Sequence, residues 1–276
     1  MPVVARLTIR ELKAGKGSRR LTQVFVRTPA EASACNEAGV ELLVAAEHIN
    51  GTTTDLRAIR RDAPECFITF GLPLRGLVNA DEVLRESYRL VDMGADAVYC
   101  PYRMEIVERL AAEHIPVVGH VGFVPLRSSW YGGYKAIGTN ATDAVAVWEQ
   151  TRRYEQAGAI AVEMEVVPRE VAAAITARTS LLVIGLGAGS GCDVQYLFST
   201  DVLGDNEGHV PRHAKVYRDF ASEHARLQRE SVAAFGELRA DVRSGAFPEE
   251  RHEVKMKPKE LAAFFDAIGV IPRPGR

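Results

Sequence analysis

Cysteine is scarce in this chain. Only Cys35, Cys66, Cys100 and Cys192 occur in 276 residues, and none stands in a CxxC pair or a Cys/His finger spacing. That scarcity excludes a disulfide framework and a structural zinc site. A basic excess is missing too: 34 Lys and Arg against 36 Asp and Glu give a formal net charge of -2, so nucleic acid is not an expected partner. No run approaches the roughly 18 apolar residues that a membrane span requires. The opening MPVVARLTIRELKAGKG has no apolar core for a signal peptide, so the expected compartment is the cytoplasm, with no membrane partner. Asn50-Gly-Thr and Asn140-Ala-Thr match the glycosylation pattern, which without a secretory route is coincidence. Internal repeats, low-complexity segments and interdomain linkers are likewise lacking.

What is present is an alternation of apolar runs and helical patterns, with 47% hydrophobic and 25% charged residues. Such alternation predicts parallel strands joined by right-handed crossovers, and about 250 residues suffice for one α/β barrel domain. Strands are expected at residues 21–27, 40–47, 66–70, 97–100, 116–123, 160–167 and 181–186, with an eighth at 194–198 or near Asp201. A helical tail is expected from Pro211 to Ser244, and a tail of that kind packs on the barrel or on another subunit, so a homo-oligomer is expected. Residues 255–276, with a short AAFFDA helix and a Pro-rich end, read as an appendage to a domain of residues 1–254.

The stretch LLVIGLGAGSGCDVQYLFSTDVLG, Leu181 to Gly204, has glycines at 185, 187, 189 and 191. That spacing fits neither the dinucleotide fingerprint nor the Walker loop, and it reads as a backbone held close to a ligand at a strand's C-terminal end. Cys192-Asp193 beside it could be a nucleophile or ligand; a small buried thiol and a turn-forming Asp is the preferred reading. The loop SSWYGGYKAIGTN, residues 128–140, is long and rich in glycine and aromatics, and reads as a lid.

In a parallel barrel the chemistry lies at the C-terminal ends of the strands, which brings forward Arg27, Glu47, His48, Tyr99, His120, Glu163 and Glu165. Glu163 and Glu165 are two apart on one strand and share a face; together they would enter the barrel mouth or face a helix. Two carboxylates in one buried space repel, which raises one pKa and suits a general base or a metal ligand. His120, inside an apolar strand, is either a hydrogen-bonded core residue or a proton-transfer group. Glu47 and His48 are adjacent, so they point to opposite faces unless the chain bends there.

The blocks GHVGFVPL, GGYKAIGT, EMEVVP, IGLGAGSGCDVQYLFSTDVLG, PRHAKVYRDF and RSGAFPEE resemble the ketopantoate (3-methyl-2-oxobutanoate) hydroxymethyltransferase family, of the phosphoenolpyruvate mutase and isocitrate lyase superfamily. The resemblance covers nearly the whole chain up to about Val254. It implies a TIM (β/α)8-type barrel with a C-terminal helical extension and a homo-oligomer, often a decamer. It further implies a reaction in which magnesium chelates a 2-oxo acid, a glutamate removes its C3 proton, and the enolate attacks the methylene of methylenetetrahydrofolate.

Carried over residue by residue, the resemblance implies Glu165 as the base and His120 as its companion, with Gly132, Gly133 and Tyr134 in the lid and Gly187 at the glycine mouth. The metal and carboxylate subsite departs from the family pattern. Ala46-Glu47-His48 stands where the family has Gly-Asp-Ser, Gly71-Leu72-Pro73 for Asp-Leu-Pro, Tyr99-Cys100-Pro101 for Lys-Leu-Glu, and Arg27-Thr28 for Tyr-Asp. Glu47 and Glu163 are then the remaining candidate metal ligands, and Arg27 and His48, with Tyr134 and Gly187, the candidate substrate contacts. Tyr99 joins His120 as a proton or hydrogen-bond partner.

Three readings follow. The first is hydroxymethyl transfer or an aldol-type step on a small carboxylate, the second a lyase, hydrolase or isomerase with no metal or a relocated one, and the third a non-catalytic small-acid-binding paralogue.

Overall fold

The computed structural model describes residues 6–49, 51–206, 208 and 210–269. Its eight main strands are β1 (Leu21–Phe25), β2 (Leu42–Ala46), β3 (Phe67–Gly71), β4 (Ala97–Tyr99), β5 (Val117–Gly122), β6 (Ala161–Glu165), β7 (Leu182–Leu186) and β8 (Val194–Phe198). They pair in parallel in chain order, and β8 closes onto β1, which makes a barrel. The expected TIM-type fold is therefore the observed one.

Two-residue periodicity divides the strand side chains between two cores. Leu21 and Phe25, Leu42 and Val44, Leu182, Ile184 and Leu186, with Val194 and Tyr196, fill the barrel interior. Val24, Leu43, Ile68, Phe70, Val162, Met164 and Val183 face outward into the layer of helices. Helix α1 (Ile9–Ala14), opened by a capping box between Thr8 and Glu11, adds Leu12 to the interior cluster.

The surrounding helices α2 (Pro29–Glu37), α3 (Leu56–Asp62), α4 (Ala80–Asp92), α5 (Met104–Ala112), α6 (Ala141–Gln156) and α7 (Arg169–Thr176) alternate with the strands. Thr28, Asp55, Asn79 and Asn140 cap the starts of α2, α3, α4 and α6, each accepting from a backbone N–H three residues on.

No helix separates β7 from β8, so the chain must return along the outside of the barrel within residues 187–193, and the glycines serve that return. A Cβ at Gly189 would stand 2.4 Å from Cβ of Arg169, and one at Gly191 would stand 2.6 Å from Cβ of Ala173, both on α7. The stretch read as a ligand mouth is thus a loop pressed against a helix. Asp193 ends it as a buried anchor, accepting from the Val183 backbone N–H at 2.9 Å and pairing with Lys16 at 2.5 Å. Burial pushes the neighbouring Cys192 thiol up to about 11, as suits an inert core thiol.

After β8 come α8 (Ser199–Leu203) and α9 (Phe220–Ser244). The tail helix expected from Pro211 starts only at Phe220. Before it, the Tyr217 backbone N–H donates to the carbonyl of Val202 at 2.9 Å, which holds that segment as a connector.

Contacts divide the chain between Phe220 and Ala221. The second unit holds the rest of α9 and α10 (Pro258–Ala267), which contains AAFFDA. The Pro-rich end, residues 271–276, and Asn50 lie outside the described residues. Among the described residues, no helix is long and apolar enough to cross a membrane.

Candidate active site

A cavity of about 440 Å³ opens at the C-terminal ends of the barrel strands. Its polar wall is made by Tyr99 from β4, His120 from β5, Glu163 and Glu165 from β6, and Tyr196 from β8. Phe25, Val44, Leu72, Leu126, Leu186 and Phe198 supply apolar surface. The register of β5 against β6 sets His120 opposite Glu163 and Gly122 opposite Glu165, so the two carboxylates and the imidazole share the interior.

His120 is held at both ring nitrogens. Nδ1 lies 2.9 Å from the Tyr99 hydroxyl. Nε2 lies 3.0 Å from the carbonyl oxygen of Phe123 and 3.2 Å from Oε2 of Glu165. Burial alone would lower the imidazole pKa, but the Glu165 hydrogen bond and the charges of Glu163 and Glu165 outweigh it and raise it. Burial, with Glu165 nearby, pushes Glu163 up to about 7 against the opposing pull of His120. Burial, and then the Glu163 charge, holds both Tyr99 and Tyr196 well above the ordinary phenol value.

The backbone fixes Glu165 from both sides. The Phe123 N–H donates to its carbonyl at 2.8 Å, and Val166, next in sequence, sits at φ +49 with its N–H on the Leu186 carbonyl at 2.8 Å. Positive φ at a β-branched residue costs free energy and persists only where its surroundings over-determine it.

At the opposite rim the chain does bend at Glu47. His48–Ile49 pairs antiparallel with Thr52–Thr53, and both Glu47 and His48 line the cavity. Glu47, however, is clamped. Arg89 of α4 donates to its two oxygens at 2.6 and 3.3 Å, and also holds Glu86.

Other candidates lie off the cavity wall. The Arg27 guanidinium, although on the barrel's C-terminal side, is taken by Glu31 at 3.1 Å and Asp205 at 2.9 Å. Tyr134 is 83% exposed and stands against Phe123 with ring centroids 5.2 Å apart. No residue of the loop expected as a lid, 128–140, lines the cavity; the 3-10 turn Pro125–Tyr131 that leads into it reaches the cavity with Pro125 and Leu126. Gly187 turns the chain outward at φ +67, and a Cβ there would meet His213 at 2.9 Å.

Sequence reading missed Arg75, Glu86, Arg89, Tyr196 and the buried Gln23, whose Nε2 lies 3.5 Å from Glu163. Strand alternation was the available signal for Gln23 and Tyr196. Arg89 carried only the Glu86 to Arg89 helical spacing.

Magnesium needs near-octahedral oxygen coordination with at least one or two free carboxylates. Here Glu47 is bound to Arg89, Gly71 has no side chain, and burial holds the Tyr99 phenol well above its ordinary pKa, so it brings no anionic oxygen. Among the described residues no group of three His, Cys, Asp or Glu is placed to hold a metal ion. At the rim where the family pattern places its ligands, the residues present do not fit a resident magnesium ion, and the two carboxylates left on the cavity wall, Glu163 and Glu165, lie beside His120.

The model of the ketopantoate hydroxymethyltransferase family matches residues 6–250. The chain belongs to that family. A 3-methyl-2-oxobutanoate hydroxymethyltransferase of Geobacillus thermodenitrificans strain NG80-2 is 35% identical over 214 residues, 76% of this chain and 74% of that one. The Chloroflexus aurantiacus strain J-10-fl enzyme of the same name is 31% identical over 94% of this chain and 96% of its own. Among solved structures, a phosphonomutase-like protein of Burkholderia cenocepacia J2315 shares the fold with a TM-score of 0.53 at 14% identity, covering 83% of this chain and 99% of that one. Within the ketopantoate hydroxymethyltransferase family, this chain pairs an inward Glu165–His120 couple with a rim closed by an arginine clamp.

Proposed function

We propose that this chain catalyses hydroxymethyl transfer to a small 2-oxo acid, with Glu165 as the base that removes the proton from C3. The observation that carries this reading is Glu165 on the cavity wall with one oxygen on His120 at 3.2 Å. A carboxylate so placed in a largely apolar cavity can accept a carbon-bound proton, and its neighbour orients it. The C–H bond breaks, the proton goes to Glu165, and the electron pair moves through C2 to the carbonyl oxygen. The resulting enolate carbon is the nucleophile for a one-carbon unit at the formaldehyde oxidation level.

The family's donor, methylenetetrahydrofolate, would supply that unit as a methylene group, with water providing the hydroxyl oxygen and tetrahydrofolate leaving as both of its bonds to the methylene carbon break. The stacked rings of Phe25, Phe198 and Tyr196, with successive centroids 4.8 and 5.6 Å apart, form an aromatic wall suited to a planar ring system. Arg75, a cavity-lining cation on the loop after β3, and His48 are the groups proposed to meet the substrate carboxylate.

A cytoplasmic homo-oligomer, the decamer included, accompanies this reading. Its support is the family together with a stripe on α9 that exposes Leu227, Phe235, Leu238 and Val242.

Deuterium exchange at C3 of a panel of 2-oxo acids, followed by NMR, tests the chemistry. Exchange with a branched 2-oxo acid, abolished by Glu165→Gln, is expected. No exchange with any member of the panel would overturn the reading.

A further inference from the structure

The clamp on Glu47 leaves no obvious electrophile for the oxygen that becomes negative when C3 is deprotonated. The Arg89 donors are all engaged. Nε donates to Glu86 at 2.8 Å, Nη2 to both Glu86 and Glu47, and Nη1 to Glu47 and to the Met93 sulfur at 3.6 Å. A divalent ion using Glu47 would have to compete with this guanidinium for both Glu47 oxygens. An uncompensated oxyanion in a buried cavity carries a large electrostatic penalty, so some other group must meet it.

His120 and Tyr99 provide one. Nε2 of His120 faces two acceptors, the Phe123 carbonyl and the Glu165 carboxylate, so it carries a hydrogen in both protonation states. The state of Nδ1 then decides what Tyr99 can do. In the neutral ring Nδ1 accepts, and the phenol proton is spent on it. In the imidazolium Nδ1 donates to the phenol oxygen, and the phenol O–H is free to turn into the cavity that Tyr99 lines. A histidine cation behind a phenol also strengthens the phenol as a donor. The charged and titratable groups facing this ring are Tyr99 on β4, Glu163 and Glu165 on β6, and Tyr154 on α6. The Glu165 carboxylate, and Glu163 when ionised, favour the imidazolium.

We propose that the enolate oxygen is held by the Tyr99 hydroxyl backed by the His120 imidazolium, with no divalent metal ion in that role. This rests on Glu165 acting as the base. In the step, the C3–H bond breaks and Glu165 takes the proton. The electron pair ends on the carbonyl oxygen, and that oxygen accepts the hydrogen bond from Tyr99. Tyr99 is thus a catalytic residue and His120 the residue that switches its donor direction.

The test is C3 deuterium exchange by the purified full chain, with chelator and then with added Mg²⁺, for wild type and Tyr99→Phe. Metal-independent exchange, altered less than about twofold by Mg²⁺ and slowed about 10²-fold in kcat with KM nearly unchanged by Tyr99→Phe, is expected for the loss of one oxyanion donor. Exchange that requires added metal, or that Tyr99→Phe leaves within twofold, would overturn the proposal while Glu165→Gln still abolished exchange. Exchange that survives Glu165→Gln would instead overturn the base assignment on which the proposal stands. If Tyr99→Phe fails to fold, the chelator experiment on wild type still decides the metal question, and His120→Gln tests the switch by removing the alkaline limb of the pH profile.

Discussion

Oε2 of Glu165 lies 3.2 Å from Nε2 of His120, the nitrogen that also faces the Phe123 carbonyl at 3.0 Å. Two acceptors on one nitrogen fix the tautomer, and the adjacent carboxylates raise the ring pKa above its ordinary 6.5. In ¹⁵N-labelled protein the His120 resonances are expected to show a protonated Nε2 throughout, with Nδ1 titrating above 6.5. A neutral ring protonated at Nδ1, or a titration below 6.5, would contradict this arrangement.

Glu163 gives stability a pH dependence of known sign. Its carboxyl is pushed from about 4.5 up to about 7 by burial. Between those values the native chain holds a proton that the unfolded chain has released, so stability falls as pH rises through that window. The full effect is on the order of 3 kcal/mol at about 1.4 kcal/mol per pH unit. His120 acts in the same direction, because a raised imidazole pKa contributes stability that is lost as pH rises through it. Urea unfolding of Glu163→Gln should therefore gain on wild type between pH 5 and pH 8. An equal difference at both pH values would contradict the buried, protonated carboxyl.

Gly122 is the position where the backbone itself protects the base. At φ +84 a Cβ would stand 2.4 Å from the Glu165 carbonyl oxygen and 2.6 Å from Val167. Gly122→Ala should cost more than about 2 kcal/mol and slow exchange by displacing Glu165. Gly133→Ala, at φ +114 with nothing within 4 Å, is the control for backbone strain alone and should cost about 1 kcal/mol. Equal costs at the two positions would refute the close approach.

Arg27 separates what sequence implies from what the fold does. Its guanidinium joins Glu31 to Asp205, so Arg27→Ala should lower stability and leave KM for the 2-oxo acid within about twofold. A tenfold rise in KM with unchanged thermal unfolding would restore it as a substrate contact.

These contrasts show which features a linear reading can reach. Strand periodicity located the barrel, and the two-residue spacing of Glu163 and Glu165 put both carboxylates on one face, which only the structure shows to be the inner one. The clamp of Glu47 by Arg89 escaped because the partners are 42 residues apart and belong to different elements. The glycines after β7 were misread for a related reason. A tight backbone looks the same in sequence whether it approaches a ligand or, as at Gly191, the Cβ of Ala173. Tyr99 was visible as a polar residue at a strand end, but its hydrogen bond to His120 depends on β4 and β5 being neighbours.

The most direct test of the account is the rate of C3 deuterium exchange into a branched 2-oxo acid for wild type and Glu165→Gln, both shown by circular dichroism to be folded. The account predicts exchange by wild type and a loss of at least about 10²-fold in the variant, the scale of a positioned general base. Equal rates in the two proteins would contradict it.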